Sequence, residues 1–184
     1  ASEAFPTAVS SGHYAGIKHA TPGQRVMEAG EPVFLDVGAN LHGLMSDVSR
    51  CAIVPGRRNP EVERLYREGE ALYRHGLEVL TATRDIGAVS SALTDRARQS
   101  PFAEDFCAGG WGHGIGMALI EAPGGLFVGK DGALEPNMVI AYEPMFVVAG
   151  LGTGVVEDTF LVTEDGVEPL SRLPIDSWSA AAHA

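Results

Sequence analysis

The sequence predicts a single α+β domain, and three observations lead to that fold class. Two segments, residues 33–54 and 138–163, each hold two apolar strands around a glycine-containing turn, which is typical of a β-hairpin. Between them, Asn59-Pro60-Glu61 has the residues of a helix start and opens a run of apolar side chains at three- and four-residue steps. A chain of 184 residues without a linker-like stretch suits one domain.

The elements of the first half have definite expected bounds. The first strand covers residues 33–37 and the second runs from about residue 47 to residue 54. Asn59 is the expected N-cap of the first helix, because its side chain can accept from a free backbone N–H. A second helix is expected over residues 86–99.

The second half begins with a segment for which no regular secondary structure is predicted. Residues 109–116 are so rich in glycine that neither a helix nor a regular strand is expected, and such density indicates close backbone approach. Two further strands are expected at residues 138–148 and 154–163. Small and polar residues after Pro174 predict a flexible tail over residues 175–184.

Composition and charge argue against several partners and compartments. The net charge of −11 makes nucleic acid or an anionic membrane surface an unsuitable partner. No run of about 18 apolar residues occurs, so no membrane-spanning segment is expected. The only cysteines, Cys51 and Cys107, have no disulfide-framework spacing, which favours two buried thiols in a reducing, cytoplasmic setting.

Each hairpin carries one acid near the end of its first strand and one near the start of its second: Asp36 and Asp47, then Glu143 and Glu157. On an apolar inward face, a carboxylate needs a cation or a hydrogen-bond partner. Four such acids, with His113 in the glycine-rich segment, indicate a site for two divalent cations bridged by carboxylates. The alternative is that each acid only bonds to backbone and does no chemistry.

Five short segments resemble the signature segments of the pita-bread metalloenzymes, the family of methionine aminopeptidase, Xaa-Pro aminopeptidase, prolidase and the metal-free creatinase. In chain order they are Leu35-Asp36-Val37-Gly38-Ala39, Ser46-Asp47-Val48-Ser49-Arg50, Gly112-His113-Gly114-Ile115-Gly116, Tyr142-Glu143-Pro144 and Val156-Glu157-Asp158-Thr159. The resemblance implies a pita-bread catalytic domain over residues 1–174, with pseudo-twofold repeated hairpins and flanking helices. It also implies that the family's N-terminal helical part is absent from this sequence.

The resemblance assigns a role to each acid and to the histidine. Asp36 would bind one metal through both oxygens, while Asp47 and Glu157 would bridge the pair. His113 and Glu143 would complete the second metal, with Glu143 also acting as general acid or base. The cofactors would be two divalent ions, Mn, Co, Fe or Zn, and the nucleophile a hydroxide bridging them.

A second histidine enters only through the same resemblance. His19 lies seventeen residues before Asp36, at the position of a substrate-contacting histidine in the aminopeptidase P and prolidase branches. There it would hold a carbonyl oxygen or stabilise the tetrahedral intermediate. The alternative is an ordinary histidine on a surface loop.

Three positions depart from the pattern of the proline-specific peptidases. Those branches carry a histidine seven residues after the metal-binding one, where this chain has Ile120. They also carry a histidine four residues before it, here Gly109, and an arginine two residues before the last glutamate, here Val155. The expected metal ligands are therefore all present, while three helper groups for substrate are not.

Three functions follow as alternatives. The first is a dinuclear metallohydrolase that cleaves an amide or peptide bond, like an Xaa-Pro dipeptidase or aminopeptidase. The second is a non-peptidase member, such as a lyase or hydrolase of a small amino-acid-like or onium compound. The third is a non-catalytic binding protein on the same fold. A homodimer, or association with the missing N-terminal portion, is the expected assembly.

Overall fold

The structure is a computed structural model and describes residues 1–17, 20, 23–176 and 178. The helices are α1 (Pro60–Ala82) and α2 (Ile86–Ala97). The strands are β1 (Ser2–Glu3), β2 (Ala8–Ser11), β3 (Pro32–Val37), β4 (Ala39–Leu41), β5 (Leu44–Met45), β6 (Val48–Ile53), β7 (Gly112–Gly114), β8 (Glu121–Leu126), β9 (Val139–Tyr142), β10 (Met145–Val148), β11 (Gly152–Val155), β12 (Asp158–Thr163) and β13 (Gly166–Pro169).

Both helices begin at a capping side chain. The Asn59 side chain accepts from the N–H of Val62 at 3.4 Å and Pro60 is the first helical residue, as the sequence predicts. Asp85 caps α2 by accepting from the N–H of Ala88 at 2.7 Å. The second helix ends at Ala97, two residues before the expected end. Neither described helix is long and apolar enough to cross a bilayer.

The strands form antiparallel sheets that confirm the α+β class. The largest has the order β13-β12-β9-β7-β8, and a second has the order β2-β3-β6. Two smaller sheets contain β1-β4-β5 and β10-β11. Helix α1 lies so close to β11 that a Cβ placed on Gly69 would stand 2.5 Å from the carbonyl carbon of Gly154. The glycines therefore let the helix backbone rest directly on the strand.

The two long strands expected in the second half are each broken, which corrects the sequence-based bounds. Residues 138–148 form β9 and β10 in different sheets, separated by Glu143 and Pro144. Pro144 has no N–H to donate to a ladder, so pairing stops there. Residues 154–163 likewise divide at Val156 and Glu157 between β11 and β12. Both glutamates thus lie where the chain passes from one sheet to another.

The glycine-rich segment is also more regular than its sequence predicts. Gly112–Gly114 forms β7, which pairs with β8 on one side and β9 on the other. A Cβ on Gly114 would lie 2.5 Å from the carbonyl oxygen of Glu121, so only glycine allows this approach. The expected close backbone approach is confirmed. The pairing of β7 with β8 shifts register between His113 and Gly114, so β7 is an irregular strand.

The start of the expected tail packs against the core. Trp178 is 8% exposed, stacks edge-on against Tyr66 and lies beneath the guanidinium of Arg67. Ile175 also packs on the core. These two apolar side chains therefore cover part of the core surface, while the flexibility of residues 175–184 as a segment stays a prediction. Residues 177 and 179–184 of that tail lie outside the described residues.

Candidate metal site

The five candidate ligands come from both hairpins and from the strand between them. Asp36 lies in β3, and Asp47 directly precedes β6. His113 is the middle residue of β7. Glu143 directly follows β9, and Glu157 directly precedes β12. Four of the five are therefore at or beside a strand end, where a side chain can turn toward a shared centre.

Distances show that these side chains converge. The Nε2 atom of His113 lies 3.5 Å from Oδ2 of Asp47 and 4.0 Å from Oε1 of Glu143. One ligand atom each of Asp47, His113 and Glu157 lies within 4.8 Å of the other two. Glu157 is 1% exposed, and Asp47 and His113 are also buried. This spacing is close enough for a single cation to contact all three residues.

Asp36 belongs to the same cluster by its electrostatics. Burial, and after it the nearby carboxylates of Asp47 and Glu143, together raise the pKa of Asp36 to about 7. The carboxylate of Asp36 therefore lies near those of Asp47 and Glu143. The predicted convergence of the two hairpins is thus present in the fold.

Glu157 and His113 titrate in the field of the same acids. Burial raises the pKa of Glu157 well above its usual range, with added repulsion from Glu143 and Asp47. Burial lowers the pKa of His113, but hydrogen bonds and charges from Asp47, Gly114 and Glu143 outweigh it and leave the pKa raised. The cluster is therefore short of positive charge, and a cation would relieve the repulsion.

Three buried oxygens test whether a metal fits this cluster. Within the described part of the chain, Oδ1 of Asp36, Oδ1 of Asp47 and Oε1 of Glu157 have no hydrogen-bond partner. A buried carboxylate oxygen without a partner carries a large desolvation cost. Oxygen and imidazole donors together suit divalent ions such as Mn, Co, Fe or Zn. The donor set therefore fits a metal centre.

The protonation of His113 is set by its neighbour. Its Nδ1 lies 3.1 Å from the carbonyl oxygen of Gly114, which can only accept. Nδ1 therefore donates its N–H to this carbonyl, and Nε2 faces Asp47 and Glu143, where a metal would replace any proton on that nitrogen. An Nδ1–H that donates to a backbone carbonyl orients the ring so that Nε2 can bind a metal.

Two hydroxyl residues hold the acids in place and were not predicted as part of the site. Ser49 donates to Oε2 of Glu157 at 2.5 Å. Thr159 donates to the carbonyl of Asp47 at 2.8 Å. These bonds connect the two hairpins across more than 100 residues of chain. In the sequence, each of these residues stands two positions after an acid, on the same face of a strand, and this spacing could have predicted their place in the site.

The three residues that differ from the peptidase pattern differ from one another in solvent exposure. Ile120 is 60% exposed, and Met117 nearby is 78% exposed. Gly109 is exposed, with open space where a side chain would begin. Val155 is buried at the end of β11. Glu121 accepts from the N–H of Ala118 at 3.2 Å, so this acid shapes its own turn.

His19, the proposed substrate-contacting histidine, lies outside the described residues. Of the histidines without an expected role, His13 and His42 are exposed, while His75 is half-buried. His183 also lies outside the described residues. No described histidine besides His113 enters the cluster of acids that could hold a metal.

A mixed helix and sheet domain with buried acids and one histidine between paired hairpins is the architecture of a pita-bread metallohydrolase. The chain belongs to metallopeptidase family M24, which matches residues 1–164. The uncharacterized peptidase YqhT of Bacillus subtilis is 30% identical over 94% of this chain. A methionine aminopeptidase of Treponema pallidum is 35% identical over 90%, and an Xaa-Pro dipeptidase of Pyrococcus furiosus is 27% identical over 92%.

Solved structures confirm the pita-bread fold. A dipeptidase from Pyrococcus horikoshii superposes with a TM-score of 0.86 at 26% identity, over 94% of this chain and 48% of that one. An X-Pro aminopeptidase from Thermotoga maritima has the same values. The chain spans 48% of the length of YqhT and of the P. furiosus enzyme, and 66% of the T. pallidum enzyme. It therefore corresponds to only part of these relatives.

Proposed function

We propose that this domain is a dinuclear metal-dependent hydrolase that cleaves an amide or peptide bond, like an Xaa-Pro dipeptidase or aminopeptidase. The observation that carries the proposal is the convergence on His113 of buried carboxylates, three of which have an oxygen unpartnered among the described residues. The proposed ligands are those that the sequence pattern indicates and the family resemblance implies: Asp36, Asp47, His113, Glu143 and Glu157. Manganese and cobalt suit this oxygen-rich set.

Metals held by these five residues would supply Lewis acidity, which polarises a scissile carbonyl and makes water a nucleophile at neutral pH. The protein's own contribution is to hold the ligands before metal arrives. Ser49 fixes one oxygen of Glu157, and the Gly114 carbonyl fixes the ring of His113. Because these bonds exist within the folded chain, little reorganisation is needed on metal binding.

Glu143 is the proposed general acid or base. Its side chain is 14% exposed, which is more than the side chains of Asp47 and His113. It also lies where the chain leaves β9, with its N–H donating to the carbonyl of Trp111 at 2.9 Å. A carboxylate held by its backbone at the open side of the cluster can exchange a proton with substrate and solvent. His19 is proposed, on its sequence position alone, to hold the substrate carbonyl.

The test is activity against a panel of substrates after metal loading. The chain is incubated with Mn²⁺ or Co²⁺ and then with Xaa-Pro dipeptides, longer Xaa-Pro peptides, methionyl peptides and simple amides. The proposal expects metal-dependent cleavage of at least one of them, lost on Glu143→Gln. Metal binding without cleavage of any peptide or amide would contradict the hydrolase.

A second function is favoured by one specific observation. The positions where proline-specific relatives place helper residues hold the exposed Ile120, the open Gly109 and the buried Val155. These residues provide no proton and no hydrogen-bond donor from a side chain. We therefore keep a non-peptidase reaction on a small amino-acid-like or onium compound as the alternative. If metal fails to bind at all, the non-catalytic binding protein becomes the better account.

We also propose that the protein forms a homodimer and is located in the cytoplasm. A homodimer is supported by large apolar side chains that the described surface exposes, such as Leu44, Leu170 and Leu173 at 51–62%. A cytoplasmic location is supported by two free cysteines, one of which is buried. Sedimentation analysis of the purified chain tests the first proposal, and fractionation of cells tests the second.

A further inference from the structure

Arg50 is a buried cation three residues after Asp47 whose hydrogen bonds reach the backbone of the site. Its side chain is 7% exposed. All five N–H donors of its guanidinium meet an acceptor. The acceptors are the carbonyls of Ser49 (2.9 Å), Glu157 (2.6 Å), Leu173 (2.8 Å) and Pro174 (2.9 Å) and Oδ1 of Asp158 (2.8 Å).

These acceptors belong to three separate parts of the chain. Glu157 lies between β11 and β12, Asp158 is the first residue of β12, and residues 173–174 follow β13. Arg50 itself lies in β6, so one side chain fixes the hairpin that carries Asp47 to the turn that carries Glu157. The other oxygen of Asp158 accepts from the hydroxyl of Tyr73 in α1 at 2.8 Å, which prevents that carboxylate from turning away.

Stability alone is a poor reason to bury this charge. A buried ion pair contributes little net stability compared with an apolar replacement, because both charges lose their hydration. The planar guanidinium fork does something an apolar residue cannot, since it sets the distance and angle between several acceptors. Here the acceptors include the carbonyl of Glu157, the most buried of the candidate ligands.

We propose that Arg50 is a positioning residue for the metal site, which fixes the backbone of Glu157 so that Oε1 faces the metals. Ser49 holds Oε2 of the same carboxylate, and Oε1 has no partner among the described residues. The backbone and one oxygen are thus fixed, and the remaining oxygen has a defined direction. This inference rests on the proposed metal function and adds to it a residue that touches neither metal nor substrate.

The test compares Arg50→Lys with Arg96→Lys. Lysine at position 50 keeps the charge beside Asp158 but has too few donors, in the wrong geometry, for the carbonyls. Arg96 pairs with Glu68 at 2.9 Å away from the site, which makes its lysine variant a matched control. The readouts are the Co²⁺ dissociation constant by chelator competition, the visible spectrum of bound Co²⁺ and circular dichroism of the metal-free protein.

The expected result is that R50K folds, binds Co²⁺ about tenfold more weakly and shifts the Co²⁺ spectrum, while R96K binds within about twofold of wild type. A merely structural role would lower the melting temperature and leave the affinity and spectrum of the folded protein unchanged. That pattern would overturn the inference. Wild-type protein that binds no Co²⁺ would overturn both the metal function and this inference, which distinguishes the two failures.

If R50K does not fold, Tyr73→Phe carries the same test. It removes only the hydroxyl that holds Asp158 from the far side, and the ring remains to fill its space. The expected effect is a smaller loss of Co²⁺ affinity, about threefold, because Arg50 keeps its other acceptors. An affinity and a Co²⁺ spectrum identical to those of the wild type would overturn the inference.

Discussion

The hydroxyl of Ser49 donates to Oε2 of Glu157 at 2.5 Å, joining residues 108 positions apart. The bond connects the first hairpin to the second at the centre of the acidic cluster. It also divides the two oxygens of Glu157 into one that is held and one, Oε1, that is unpartnered within the described chain. A serine on an apolar strand thus decides which atom of a buried glutamate faces the proposed metals.

Ser49→Ala is therefore expected to weaken metal binding by about tenfold, because outer contacts that orient a ligand typically contribute 10- to 100-fold in affinity. The measurement is a Mn²⁺ or Co²⁺ dissociation constant from chelator competition. Ser91→Ala, at an exposed position of α2, is the control and should bind as wild type does. Equal affinities for the S49A variant and the wild type would show that Glu157 is oriented without this bond.

The metal-free protein is expected to lose stability as pH rises. Asp36, Glu157 and His113 each have a raised pKa in the fold. Such groups stabilise the fold below their unfolded pKa, and that contribution is lost as pH rises through the folded pKa. For Asp36 the window runs from its ordinary 3.8 to about 7. The melting temperature in EDTA should therefore be lower at about pH 8 than at about pH 5.5.

Saturating metal should reverse this slope, because metals bind the deprotonated acids and the neutral histidine. Thermal melts across the same pH range, with EDTA and with Mn²⁺, measure both effects. Asp36→Asn removes one titrating carboxylate and should flatten the metal-free curve. A metal-free protein whose melting temperature rises steadily from pH 5.5 to pH 8 would contradict the raised pKa values.

Gly69→Ala should destabilise the fold although alanine is the better helix former. The gain in helix propensity is about 1 kcal/mol. Against it, the new Cβ would meet the backbone of Gly154 at 2.5 Å, and backbone atoms cannot move aside as a side chain can. A net loss of about 1–3 kcal/mol in the free energy of unfolding is expected, as for other overpacked interiors.

Denaturant unfolding measures this loss, and Gly109→Ala is its control. A Cβ at Gly109 would meet nothing within 4 Å, so that variant should unfold as wild type does. If G69A were as stable as G109A, helix α1 would not rest on β11 as closely as described.

Ile120→His should raise the rate of Xaa-Pro cleavage if the domain is a hydrolase. The residue is 60% exposed, so the change should leave stability within about 0.5 kcal/mol. A histidine there would supply the donor that the resemblance to proline-specific peptidases implies at this position, and a positioned acid or base contributes about 100-fold or more. The measurement is kcat/KM on an Xaa-Pro dipeptide, with Val26→His at another exposed site as control. No gain over that control would favour the non-peptidase alternative.

The convergence of the acids could be predicted because carboxylates inside apolar strands are conspicuous. Asp36, Asp47, Glu143 and Glu157 stand at matched points of two hairpins, so the pattern is visible before any contact is known. The helix start at Asn59 could be predicted from neighbouring residues alone, because the capping Asn59 and the helix-starting Pro60 are adjacent. The α+β class followed from these same elements.

What could not be predicted depends on contacts between distant parts of the chain. The break between β9 and β10 was marked by Pro144, but the transfer of β10 to another sheet required knowing its partner. The burial of Trp178 depends on a surface that α1 provides more than 100 residues earlier. The acceptors of Arg50 lie 107 to 124 residues away, apart from its neighbour Ser49. An arginine inside an apolar strand was the one available signal.

The central claim is that this cluster binds two divalent ions, and metal stoichiometry tests it most directly. Protein loaded with Mn²⁺ or Co²⁺ is freed of excess ion, and metal and protein are quantified by elemental analysis and absorbance. We expect two ions per chain in the wild type and a loss of at least one in Glu157→Gln. No bound ion, or one ion that survives this substitution, would contradict the two-metal site.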